Sequence, residues 1–192
     1  MVYKIKKHSH VLFLLFLFAI GLASWMHVRA SVPATAIMTV STTVNATCSI
    51  KSVSNLTFAN YDPTNVTTDT TGQGSFNLQC TKNMTVTNID ISSGSNLATG
   101  KRQMKLSGGG ATDVLPYNLN QPTGYVFSTG TGGTCPGTAT LWGSGVTNGQ
   151  ALPAGRSPGG AGFSIPVCGT IPKGANVPAG AYTDQVTVTV NF

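Results

Sequence analysis

From residue 35 onward, polar and apolar side chains alternate in short runs, and no helical periodicity persists for more than about two turns. The runs cover residues 35–49, 75–80, 84–91, 114–119, 124–128, 139–142, 163–168 and 185–192. Turn-forming clusters separate them, among them Asp62-Pro63, Ser107-Gly108-Gly109-Gly110 and Ser157-Pro158-Gly159-Gly160. The abundance of Thr and Val suits a pleated, half-buried surface. Short strands at this spacing predict an all-β fold of the sandwich type. The glycine-rich stretch 130–160 reads as long loops around one short strand.

The runs at the two ends alternate almost perfectly. Near the start, Val32, Ala34, Ala36, Met38, Val40, Thr42 and Val44 share one face, and Ile37 is the one apolar residue on the other. At the end, Val186, Val188, Val190 and Phe192 share a face opposite Thr187, Thr189 and Asn191. A buried-type aromatic in the last position of such a strand calls for something to cover it, since termini ordinarily fray into polar residues. A sandwich that pairs its first and last strands internally fits the alternation equally well.

Residues 1–30 have the layout of a secretory signal peptide: Lys4, Lys6 and Lys7, then an apolar run over 11–20, then Val28-Arg29-Ala30 as the cleavage site. The apolar stretch is shorter than the roughly twenty residues a spanning helix needs, and no later segment is apolar enough, so no membrane span is expected in the mature chain. The 192-residue chain has a formal net charge of +6. Four of its eleven basic side chains, Lys4, Lys6, Lys7 and Arg29, precede Ser31, which leaves seven against five aspartates and a net charge of +2. That removes the electrostatic case for nucleic acid or an anionic membrane as partner.

All three histidines, His8, His10 and His27, also precede Ser31, and the chain has no glutamate. The remainder cannot build a Ser-His-Asp triad, a Cys-His pair, a histidine metal site or a glutamate general acid, so no enzyme activity, metal or cofactor is expected. Gly94 to Lys101 is a near miss of a phosphate loop: one residue too many separates its glycines, and Arg102 stands where Ser or Thr would hold magnesium. Trp142 and Tyr125 are candidates for a sugar-stacking surface, although a lone tryptophan in a sandwich is more often core. Cys48, Cys80, Cys135 and Cys168 lie in the exported part, an even number in an oxidising compartment, and read as two disulfides. Three connectivities are open. Cys48–Cys80 with Cys135–Cys168 is preferred because each pair would join segments that read as neighbouring strands.

Across nearly the whole exported part, ordered motifs resemble a known family. They are Cys48, then Leu56-Thr57-Phe58-Ala59-Asn60-Tyr61-Asp62-Pro63, then Gly74-Ser75-Phe76-Asn77-Leu78-Gln79-Cys80-Thr81, then Arg102-Gln103-Met104 and Leu115-Pro116-Tyr117-Asn118-Leu119. Leu141-Trp142-Gly143, Ile165-Pro166-Val167-Cys168-Gly169-Thr170-Ile171-Pro172 and the ending from Pro178 to Phe192 complete the set. The set is similar to the spore coat protein U-like domain found in pilin subunits of archaic chaperone–usher pili.

The resemblance implies an immunoglobulin-like sandwich lacking its final strand, with residues 1–30 removed, 31–44 a donor-strand segment and 45–192 the pilin domain. It implies a periplasmic pilus chaperone, an outer-membrane usher and other copies or related pilins as partners, and a route through the periplasm to the surface of a Gram-negative cell. Ala36, Met38, Val40, Thr42 and Val44 would insert into a neighbour. Val186, Val188, Val190 and Phe192 would line the receiving groove and pair first with the chaperone. A self-contained secreted coat or matrix protein and a carbohydrate-binding module are the competing readings.

Overall fold

The structure, a computed structural model, describes residues 32–155, 157, 159–160 and 162–192. The signal-peptide reading lies outside the described residues. Val44–Phe192 is one compact unit. It carries eleven strands among the described residues: β1 (Cys48–Phe58), β2 (Thr70–Cys80), β3 (Asn88–Ile91), β4 (Arg102–Leu106), β5 (Val114–Asn120), β6 (Leu141–Trp142), β7 (Gly149–Gln150), β8 (Leu152–Pro153), β9 (Phe163–Ile171), β10 (Tyr182–Thr183) and β11 (Val188–Asn191). The larger sheet runs β1-β2-β9-β5-β4-β10, with β6 and β7 attached beyond β5, and the smaller runs β11-β3-β8. The all-β class expected from the alternation is the class observed.

The period-2 pattern explains which face is inside. Phe76 and Leu78 of β2, Leu115, Tyr117 and Leu119 of β5, and Ile165, Val167 and Ile171 of β9 are buried, while their sequence neighbours are mostly more exposed. Register brings like to like: Phe76 lies opposite Ile165, Leu78 opposite Phe163, and Met104 opposite Leu115. Trp142 is fully buried in the same core, beside Ile89 and Ile91 of the small sheet among the other core residues.

Both preferred disulfides are present. Cys48 and Cys80 are directly opposite in the β1–β2 ladder, with Cα atoms 4.1 Å apart, and Cys135–Cys168 ties the glycine-rich excursion to β9. In the chain-entropy account, loops of this length make each bridge worth about 3–4 kcal/mol.

Several strand expectations need correction. The run at 35–49 forms no strand before Cys48, and Ile37, Met38 and Val40 are 86–99% exposed. Alternation gives a strand one apolar face but supplies no partner for its backbone, and residues 32–47 have no ladder. The run at 84–91 shortens to β3, 139–142 to β6 and 185–192 to β11. At 124–128 only one isolated bridge forms, Val126 with Thr131.

The pattern missed the rest of β1 because Lys51, Ser52, Ser54 and Asn55 interrupt it, and two register shifts, at Ile50/Ser52 and Ser54/Thr57, break the period. It missed β4 because the residue occupying a core position at its start is Arg102.

The same shifts turn the second half of β1 across the large sheet. Leu56 and Phe58 settle on a patch without side chains made by Gly74 and Gly169. A Cβ at Gly169 would stand 2.7 Å from the Phe58 ring and 2.8 Å from Leu56 Cδ2, and one at Gly74 would stand 2.9 Å from Leu56 Cα. Gly169→Val is therefore expected to destabilise the fold by about 1–3 kcal/mol through overpacking, read as a lower midpoint in denaturant melts. Gly155→Ala, at a position with nothing within 4 Å, should stay within about 0.5 kcal/mol of the parent.

Candidate functional site

The second half of β1 and the approach to β11 face each other across an open groove of about 1460 Å³. One wall is residues 53–61 and the other is residues 182–188. The floor is the inner face of β4, β5 and β9, with Met104, Leu115, Tyr117, Leu119, Val167 and Ile171. Each wall carries a strand paired on one side only: β1 with β2, and β11 with β3. Their other edges bear unpaired N–H and C=O groups, the arrangement that accepts an added strand.

Of the four residues expected to receive a strand, Val186 and Val188 line the groove. Val190 packs against the core, and Phe192 is 61% exposed beyond the groove. Val188 and Val190 lie opposite Ile91 and Ile89 of β3, which holds β11 in place. Leu56, Phe58, Met104 and Tyr117 are lining residues not anticipated as such. For Leu56 and Phe58 the signal available was the spacing Leu56-x-Phe58-x-x-Tyr61, hidden in a polar stretch. Ala36, Met38, Val40, Thr42 and Val44 are all exposed.

A polar station stands at the edge of the apolar floor. The Tyr117 hydroxyl donates to Asp184 Oδ2 at 2.7 Å, while Ser95 N and Asn96 Nδ2 donate to Oδ1 at 3.0 and 3.1 Å. Gly94 leaves the room: a side chain there would strike the Asp184 carboxylate. The glycines that suggested a phosphate loop thus serve close packing. Burial, and then the bond to Asp184, push the ionisation of Tyr117 well above the ordinary range for tyrosine. Phe58 meets the Tyr117 ring edge-on, with centroids 6.2 Å apart. The contacts Phe58, Tyr117 and Asp184 therefore cross the groove from one wall to the other.

The chemistry of the other candidates is structural. Trp142 is fully buried and the Tyr125 hydroxyl is buried as well, so the two present no stacking platform, and that basis for the carbohydrate-binding reading is withdrawn. Asp90 accepts from Ser144. Among the described residues no three His, Cys, Asp or Glu side chains are grouped as metal ligands, and no helix is long and apolar enough to cross a membrane.

Residues 34–189 match the Spore Coat Protein U domain. The chain belongs to that family. It is a structural family and not an enzymatic one. Protein U of Myxococcus xanthus is 32% identical over 173 residues, covering 83% of this chain and 85% of the relative. Among solved structures, a chain in the CsuC–CsuE chaperone–tip adhesion subunit pre-assembly complex from archaic chaperone–usher Csu pili of Acinetobacter baumannii is similar with a TM-score of 0.47 and 19% identity over 78% of this chain. A chain in a chaperone–tip adhesin complex of CFA/I fimbriae biogenesis gives a TM-score of 0.45 and 17% identity over 77%. This chain spans 40% and 41% of the length of those two solved chains.

The burial of Tyr117, and then its bond to Asp184, give a pH signature. A folded-state value raised above the ordinary 10.0 contributes stability that is complete below about pH 10 and is lost as pH rises above it. Tyr117→Phe is expected to lower stability by about 1.5–3 kcal/mol near neutral pH, the worth of a hydrogen bond to a charged group. It should also flatten the alkaline loss, as followed by thermal melts across about pH 8–11.

Proposed function

We propose that the protein is a structural subunit of a surface pilus, exported and assembled by a chaperone and usher, whose groove is filled by a β-strand from another polypeptide. The observation that carries this reading is the groove with an apolar floor bordered by two half-paired strands. The occupant is residues 34–44 of another copy or of a related subunit. Ala36, Met38, Val40, Thr42 and Val44 recur at the spacing needed to drop alternate side chains onto the floor, and the larger of them would each contribute up to about 1.5–3 kcal/mol on burial. Before assembly, a periplasmic chaperone supplies the covering strand, and an outer-membrane usher passes subunits to the surface, where the filament supports adhesion and biofilm formation. Head-to-tail insertion gives an open fibre instead of a closed ring.

The competing reading is a self-contained coat protein that folds with its own N-terminal strand, and the family's description and the relative Protein U favour it. Against it stands the way the chain enters β1. Thr47 N donates to Thr81 Oγ1 at 3.1 Å, Thr81 N donates to Thr47 O at 2.9 Å, and Thr81 Oγ1 donates to Asn45 O at 3.1 Å. Residues 45–47 thus run on from β1 beside the end of β2. A strand returning to the groove of its own domain would have to reverse direction before them or break these bonds.

Deleting residues 31–44 is expected to leave chaperone co-purification intact and to abolish polymerisation; filaments of normal length from the deleted chain would sink the proposal. A synthetic peptide of residues 34–44 should bind the full chain, and Val40→Asp in the peptide should weaken binding at least about tenfold, given the cost of burying an unpaired charge. Equal binding of both peptides, measured by fluorescence anisotropy, would count against insertion of that face.

A further inference from the structure

Arg102 is 1% exposed, and all four of its hydrogen bonds go to main-chain carbonyl oxygens. Nε and Nη2 reach Ser92 O at 3.1 and 2.6 Å, Nη2 also reaches Ile91 O at 2.8 Å, and Nη1 reaches Trp142 O at 2.8 Å. Burying a guanidinium without a carboxylate against it is expensive, and an apolar side chain of similar volume would fill the space with less penalty. The planar fork instead satisfies three carbonyls that diverge from two chain segments. Gly143, at φ 99°, makes room: a side chain there would collide with both the guanidinium and Ile91 O.

The segment gripped in this way is the one that holds β11. Ile91 is the ladder partner of Val188, Ser92 N donates to Thr187 O at 2.8 Å, and Thr187 N donates to Ser92 Oγ at 2.8 Å. Thr187 and Val188 are groove wall. We infer that Arg102 is a positioning residue for strand acceptance: through Ile91 and Ser92 it fixes the β11 edge in the geometry that an incoming strand must meet. The inference rests on the reading of the groove as a strand acceptor. Arg102 itself does not line the groove and acts only through the end of β3.

The test compares full-length parent, Arg102→Lys, Arg102→Met and Ser92→Ala, the last outside the buried core. Hydrogen exchange of amides 187–191 is measured without peptide, and the association rate of the labelled 34–44 peptide is measured alongside. Arg102→Met is expected to speed exchange of those amides at least tenfold relative to the β2 and β9 amides and to slow peptide association at least tenfold. Arg102→Lys should be intermediate, and Ser92→Ala should shift both readouts in the same direction by a smaller factor. Uniform exchange changes across all strands, with association unchanged, would reduce Arg102 to a core residue and overturn the inference. Should Arg102→Met not fold, the Lys and Ala variants decide by the same two readouts. If the parent chain itself fails to bind the peptide, the acceptor reading falls, while the exchange comparison still decides whether Arg102 holds β11.

Discussion

Backbone hydrogen bonding at a sheet edge is the constraint on which the rest of this structure turns. A strand with one side unpaired presents a row of donors and acceptors that only water or another strand can satisfy. Here two such edges border the same apolar floor. Water can serve the edges but not the floor, so an occupant that does both must be a strand with one apolar face. The bulges in β1, the bare patch at Gly74 and Gly169, and the Tyr117–Asp184 bond all bear on this geometry. Together they bring the second half of β1 onto the sheet and tie the approach to β11 at its own side.

The remainder of the core works to keep that opening from closing. Large side chains stand opposite one another in β2 and β9 and again in β4 and β5, and Trp142 is fully buried in the same core. Arg102 adds directional hydrogen bonds where apolar packing alone would leave the end of β3 free to shift.

Much of this was legible in the sequence. The fold class followed from alternation, and the Cys48–Cys80 bridge from the pairing of neighbouring strands; Cys135–Cys168 is present too, but Cys135 lies in the glycine-rich loop and not in a strand. The groove was only partly legible, because its walls are made where local pattern is weakest. β1 is polar and bulged, and its inward residues Leu56 and Phe58 matter because of glycines on strands far along the chain. Arg102 reads as a surface residue by type and is buried because three carbonyls converge on it, which no local window shows. Phe192 reads as buried by type and is largely exposed, because β11 ends at Asn191 and the ladder with β3 ends there too.

The Cys48–Cys80 bridge joins the first residue of β1 to the last residue of β2, immediately after residues 45–47. Any pull applied through the residues before Cys48 therefore meets a covalent crosslink at the first rung of the ladder. Rungs of a hairpin give way one at a time when peeled from an end, but a crosslink at that end forces the load to be shared along the strands in shear. The bridge thus has a mechanical meaning apart from its share of thermodynamic stability: it closes off the peeling of β1 from β2 at that end.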